Sequence, residues 1–191
     1  MELLKEKIRK EGKLLDGAIV KIDGFLNHRV DTVFLDKIAD EFKKYFDISK
    51  VSVILTAESS GIAVASICAY KYGLPLIYAK KAKSDNIEGG LYKSQIFSYT
   101  YKQTKTLLVS KEWLKPADKV LIIDDFMARG FAVSGLVDIV NQANATLVGI
   151  GIVVEKGFQG GGDKFRQDKN MNYKALAVID GVKDGQIIFR D

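Results

Sequence analysis

The stretch Val120–Gly135 reads VLIIDDFMARGFAVSG: an apolar run, two adjacent carboxylates, a short loop with a glycine, then a second apolar segment. An apolar run that closes in acids and a turn is how a buried parallel strand ends, which places Asp124 and Asp125 at the carboxyl edge of a sheet. Open α/β sheets bind ligands at that edge. From Phe131 the spacing changes, and Val133, Leu136, Val137 and Val140 fall on one face of a helix. Ala128, Arg129, Gly130, Phe131 and Ala132 therefore lie where a helix begins, and there unpaired N–H groups and the helix dipole favour a phosphate. One end of the stretch supplies acceptors for hydroxyls or a metal, the other donors for an anion. A ribose 5-phosphate needs both.

The rest of the chain fits one domain built around such a sheet. Its 191 residues are 47% hydrophobic with only two prolines, which suits a single core spanning residues 1–191 without a linker or internal repeat. No apolar run is long enough for a bilayer, and the charged start MELLKEKIRKE is unlike a signal peptide, so a cytoplasmic protein is expected. The single cysteine, Cys68, cannot form an internal disulfide and reads as a small buried hydrophobe. A net charge of +5 without a basic reading module points to a phosphorylated small molecule and away from nucleic acid.

In chain order, 2–11 reads as a helix, AIVKID (Ala18–Asp23) as a short strand, and Asp31 opens a helix with Leu35, Ile38, Ala39, Phe42 and Phe46 on one face. VSVILT (Val51–Thr56) is a strand, and AESSG carries it into IAVASICAY, a helix apolar on every face that is either buried or half of a subunit interface. The polar turn repeats the anion logic with Glu58, Ser59 and Ser60, and an N-cap by Ser59 or Ser60 is compatible with it. LIYAK ends in KKAKSD, with Lys80, Lys81 and Lys83 placed to neutralise a departing anion. Ser84–Ser94 is polar with a Gly-Gly pair, as a mobile lid would be, and QIFSYTYKQTKTLLVS reads as a β-hairpin. TLVGIGIVVEK is a second buried strand, ending in Glu155 and Lys156. GFQGGGDK follows no Walker or dinucleotide spacing and is given no phosphate role. A helix over Asp163–Met171 and the strands YKALAVID and QIIFR complete the chain.

Val120–Gly135 resembles the phosphoribosyl pyrophosphate (PRPP) signature of type I phosphoribosyltransferases, and the sequence from Met1 to about Asp180 is similar to the xanthine phosphoribosyltransferase subgroup. The resemblance implies an α/β fold: a central, twisted, mainly parallel sheet flanked by helices, a mobile lid hairpin, and a small hood over the base from about 1–30 and 155–191. It implies that Asp124 and Asp125 hold the ribose hydroxyls and that Ala128–Ala132 cradle the 5-phosphate. Glu58, Ser59, Ser60 and Lys81 would meet pyrophosphate, in a loop that in similar proteins uses a strained peptide to turn amides toward the ligand. Val20, Asn27 and Lys156 would face xanthine. Mg²⁺ would arrive with PRPP, few or no protein ligands being dedicated to it. A homodimer is implied, with no nucleic-acid or membrane partner. The implied reaction is xanthine plus PRPP giving xanthosine 5′-monophosphate and pyrophosphate.

Three positions depart from the commoner signature. Ala128 stands where hypoxanthine-guanine enzymes carry an Asp facing the purine N7; Arg129 adds a cation, and Ala132 removes a hydroxyl. Two other readings remain. Purine repressors share the DDF wording, so the chain is alternatively a PRPP-sensing regulator, although only about thirty residues precede the first long helix, too few for an added winged-helix module. An enzyme of the same fold acting on another base, such as guanine or adenine, is the second.

Overall fold

The structure, a computed structural model, describes residues 1–15, 19–81, 90–98 and 103–190. Helix α1 (Glu2–Glu11) buries Leu4 and Ile8, four apart on one face. Strands β1 (Lys13–Leu15) and β2 (Ile19–Lys21) form an antiparallel pair. Helix α2 (Thr32–Phe42) starts where Asp31 Oδ1 accepts the Phe34 N–H at 3.0 Å. Its expected face is the buried one, and Phe46 continues it past the helix end.

From there β-α-β units build the main sheet. In chain order they are β3 (Val53–Ala57), α3 (Gly61–Tyr72), β4 (Leu76–Ala79), the hairpin β5 (Leu91–Ser98) and β6 (Gln103–Ser110), β7 (Lys119–Met127), α4 (Phe131–Gln142), β8 (Thr146–Lys156), α5 (Asp163–Gln167), β9 (Tyr173–Lys183) and β10 (Gln186–Phe189). The sheet runs β10-β9-β8-β7-β3-β4, and every neighbouring pair is parallel except β9 with β10. Val120 to Ile123 are wholly buried at its centre, each worth roughly 1.5–3 kcal/mol of burial.

Two core layers sandwich the sheet. Leu121 and Ile123 pack with α2 and α3, whereas Val120 and Ile122 pack with α4 on the other face. The helices that follow β3 and β7 therefore leave to opposite faces, and a crevice opens where these adjacent strands end. That is the topological switch point, where α/β sheets hold ligands.

Several boundaries differ from those read in the sequence. Leu91–Ser94, assigned to the polar lid, are strand: LYKS pairs with Leu107–Ser110, an apolar partner that a local reading of polarity does not see. Residues 84–89 of that lid, Lys83 before it, the hairpin tip 99–102 and Ala18 lie outside the described residues. The helix expected over Asp163–Met171 stops at Gln167. Helix α3 is not buried all round, since Tyr70 is 89% exposed. β9 and β10 extend the main sheet, and α1 is tied to them by the Met1 amine donating to Leu176 O at 2.7 Å and Lys5 Nζ to Arg190 O at 3.2 Å. Cys68 is buried, and burial pushes its thiol up to about 12. Among the described residues no helix is long and apolar enough to cross a membrane.

Candidate active site

Asp124 and Asp125 lie at the end of β7, 5% and 2% exposed. Asp124 Oδ1 accepts from the Asp125 N–H at 3.1 Å and from Thr56 Oγ at 3.5 Å. Burial, and then the charge of Asp125, raise the Asp124 pKa well above the ordinary carboxylate range, with Lys81 opposing. Asp125 Oδ1 accepts from Ser60 Oγ at 3.0 Å, and its Oδ2 from Asn27 Nδ2 at 2.8 Å. The acid pair is thus gripped from β3, from the start of α3 and from the segment before α2, segments far apart in sequence.

Ser60 occupies the N-cap position of α3, yet its side chain makes no cap bond. Its hydroxyl goes to Asp125 instead, so a plain capping role is excluded for it. The Glu58–Ser59 peptide is cis. The Glu58 carboxylate accepts the Lys81 N–H. Gly61 follows at the closest approach in the site: a Cβ there would lie 2.1 Å from Asp124 Oδ1 and 2.2 Å from Thr56 Oγ1.

Helix α4 begins at Gly130 with φ 78° and no side-chain cap. That left-handed conformation is cheap only for glycine, and it turns the chain from the strand end into the helix. A cleft of about 510 Å³ opens here, lined by Ala128 through Ala132 together with Lys81, Phe126, Lys156 and Gln159. Lys156 ends β8, beside the end of β7 because Glu155 pairs with Met127. Its ammonium stands over the Phe126 ring at 5.0 Å, and burial lowers its pKa.

The hairpin is docked on this cleft. Lys80 and Leu108 exchange backbone hydrogen bonds at 2.9 and 2.8 Å, and Phe97 meets Phe131 edge to face with centroids 6.5 Å apart. Ile96 and Lys105, directly opposite each other in the hairpin, both line the cleft.

Of the sequence-predicted residues, Ala128–Ala132, Lys81 and Lys156 line the cleft, whereas Asp124, Asp125, Glu58 and Ser60 form the hydrogen-bonded group at the strand ends and do not line it. Val20 lies in β2 but its side chain is outside the described set. Asn27, expected opposite the base, is exposed and held on Asp125, and it does not line the cleft. Gln159, Ile96 and Lys105 were not singled out by sequence reasoning. The alternation of the hairpin carried a signal for the last two once its inward face is known; Gln159 ends a one-turn 3₁₀ helix, Gly157–Gln159, too short to show a periodicity. The glycine-rich segment 157–164, given no phosphate role, packs through Gly161 against the backbone of 128–130.

Two carboxylates at the end of one strand, with the start of the next helix close by, lie at the strand-end crevice where α/β enzymes take their ligands. The chain belongs to the phosphoribosyltransferase family: the sequence model of the phosphoribosyl transferase domain matches residues 31–174. It is 46% identical to a xanthine phosphoribosyltransferase of Lachnoclostridium phytofermentans over 100% of this chain and 98% of that protein. It is 48% identical to a xanthine phosphoribosyltransferase of Alkaliphilus metalliredigens over 100% of this chain and 94% of the relative. The fold is shared with an adenine phosphoribosyltransferase structure from Saccharomyces cerevisiae, with a TM-score of 0.74 at 20% identity over 92% of this chain and 99% of that one.

Proposed function

We propose that the protein transfers the phosphoribosyl group of PRPP to xanthine, releasing xanthosine 5′-monophosphate and pyrophosphate. The observation that carries this reading is that Lys156 and the loop Ala128–Ala132 line one cleft. A cation there favours an oxo-purine and penalises adenine, whose amino group would face it as a second donor. The full-length relatives named for xanthine support the same choice.

Within this proposal the bond from C1′ to pyrophosphate breaks as the bond from C1′ to a xanthine nitrogen forms, and no protein nucleophile takes part. Asp125 orients the ribose hydroxyls, itself fixed by Ser60 and Asn27. Asp124 stands beside it, and positive charge developing at C1′ favours its ionised form over the protonated one that burial prefers. Lys81 and the turn 58–60 receive the leaving pyrophosphate. Ala128 offers no carboxylate to the purine, and xanthine, acidic for a purine, needs little help losing its proton. The hairpin over the cleft excludes water from the activated sugar.

Two adjacent carboxylates suit a hard, oxygen-seeking cation such as Mg²⁺, and Asp124 and Asp125 would hold it through the ribose hydroxyls or its bound water. Bound with PRPP, the ion neutralises pyrophosphate charge. The hood over the base, from about 1–30 and 155–191, and a homodimer in the cytoplasm belong to the same proposal.

Steady-state rates with PRPP, Mg²⁺ and each of xanthine, guanine, hypoxanthine and adenine test it. The expected order puts xanthine first. Preference for another base refutes the substrate, and tight PRPP binding without turnover of any base makes the protein a PRPP-sensing regulator.

A further inference from the structure

Glu155 is a buried ionisable group that the proposed reaction does not use. It is 0% exposed, one residue before Lys156 at the end of β8. Its Oε2 accepts from Arg166 Nη2 at 2.6 Å and from Tyr173 OH at 2.7 Å, while Oε1 is buried with no hydrogen-bond partner among the described residues. A carboxylate taken out of water is costly, and half-satisfied it is more so. Its surroundings show what it holds.

Oε1 faces Gly162, where a Cβ would lie 2.4 Å away. Arg166, the partner of Oε2, also pairs with Asp163 at 2.7 Å, so the carboxylate fixes both the start of α5 and the turn before it. The next glycine back faces the other way. A Cβ at Gly161 would lie 2.2 Å from Ala128 O and 2.6 Å from Gly130 N, and one at Gly130 would lie 2.7 Å from Gly161 O. These are backbone-to-backbone contacts, with no side chain between them to yield. Lys164 adds a second strut, donating to Ser134 Oγ, which itself donates to Gly130 O at 2.7 Å.

We propose that Glu155 is a positioning residue for PRPP: by seating Gly161 and Gly162 it sets the height of the loop Ala128–Gly130, and with it the amides that meet the 5-phosphate. The inference rests on the reading of that loop as the phosphate cradle. Lys156 on the same strand end serves the base, so the strand places both substrate sites from adjacent residues whose side chains point to opposite faces.

Three readouts on Glu155→Gln and Gly161→Ala test it: the Kd of PRPP with Mg²⁺ by calorimetry, the KM values for PRPP and xanthine, and Tm. Gln keeps the shape and removes the charge; Ala puts a methyl group against the loop backbone while leaving the Glu155 network intact. Both variants should weaken PRPP about tenfold, with the xanthine KM within about twofold of wild type. A fall in Tm with unchanged PRPP affinity, or equal rises in both KM values, overturns the proposal. If Glu155→Gln does not fold, Gly161→Ala decides the question alone. Wild-type protein that binds PRPP without turning over a purine refutes the assigned reaction and leaves the positioning result standing; wild type that binds no PRPP overturns both.

Discussion

Replacing Gly61 with alanine tests how closely the acid pair is built. The added Cβ would lie 2.1 Å from Asp124 Oδ1, and ordinary contact begins near 3.4 Å, so the carboxylate must retreat by more than about 1 Å. The strand beneath cannot follow, because β7 is held by parallel ladders to β3 on one side and β8 on the other. The displacement therefore falls on the Asp124 side chain. A misplacement of about 1 Å at a reacting centre costs about 10²-fold, or about 2.7 kcal/mol of transition-state stabilisation. Overpacking adds a stability cost of about 1–3 kcal/mol. The assay is kcat/KM for PRPP and xanthine well below Tm, with the folded fraction measured by circular dichroism. Adding Thr56→Ala removes the clash with the hydroxyl, 2.2 Å from the same Cβ, and should restore part of the stability without restoring activity. A Gly61→Ala enzyme within about threefold of wild type, or one whose activity returns with Thr56→Ala, refutes the reasoning.

Asp125→Asn should lower kcat/KM for both substrates and leave the fold intact, as read by kinetics and Tm; unchanged kinetics would remove the residue from the site. Lys156→Ala should weaken xanthine far more than PRPP, and equal losses would make Lys156 a structural residue. Asp124→Asn should raise Tm near neutral pH. Burial and the charge of Asp125 raise the Asp124 pKa on folding, so its contribution to stability is full below the ordinary value of 3.8 and is lost as pH rises through the folded value. A residue that cannot ionise escapes that loss, and the gain should shrink toward acid pH. A Tm difference that does not depend on pH between about 3 and 7 would refute the electrostatic account.

Much of this was legible in the letters alone. VLIIDD with its following loop and helix, the Asp31 cap and the face Leu35–Phe42 are governed by neighbours one to four residues apart, so their periodicities reach the reader directly. Local polarity misled at Leu91–Ser94, where the cross-strand partner decides the conformation. It also left Ser60 as an anion contact or a cap, and could not show that its hydroxyl serves an acid 65 positions away.

The sequence by itself determined that a buried strand ends in two acids and runs into an anion-favouring helix start, because strand period, helix period and turn chemistry are short-range. Only the tertiary structure decided that Asn27 reaches Asp125, that Lys156 shares a cleft with Ala128–Ala132, and that Gly161 presses on their backbone. Those meetings depend on strand order, on β8 lying beside β7 and β3 on its other side, and sheet order is set by the packing of whole layers.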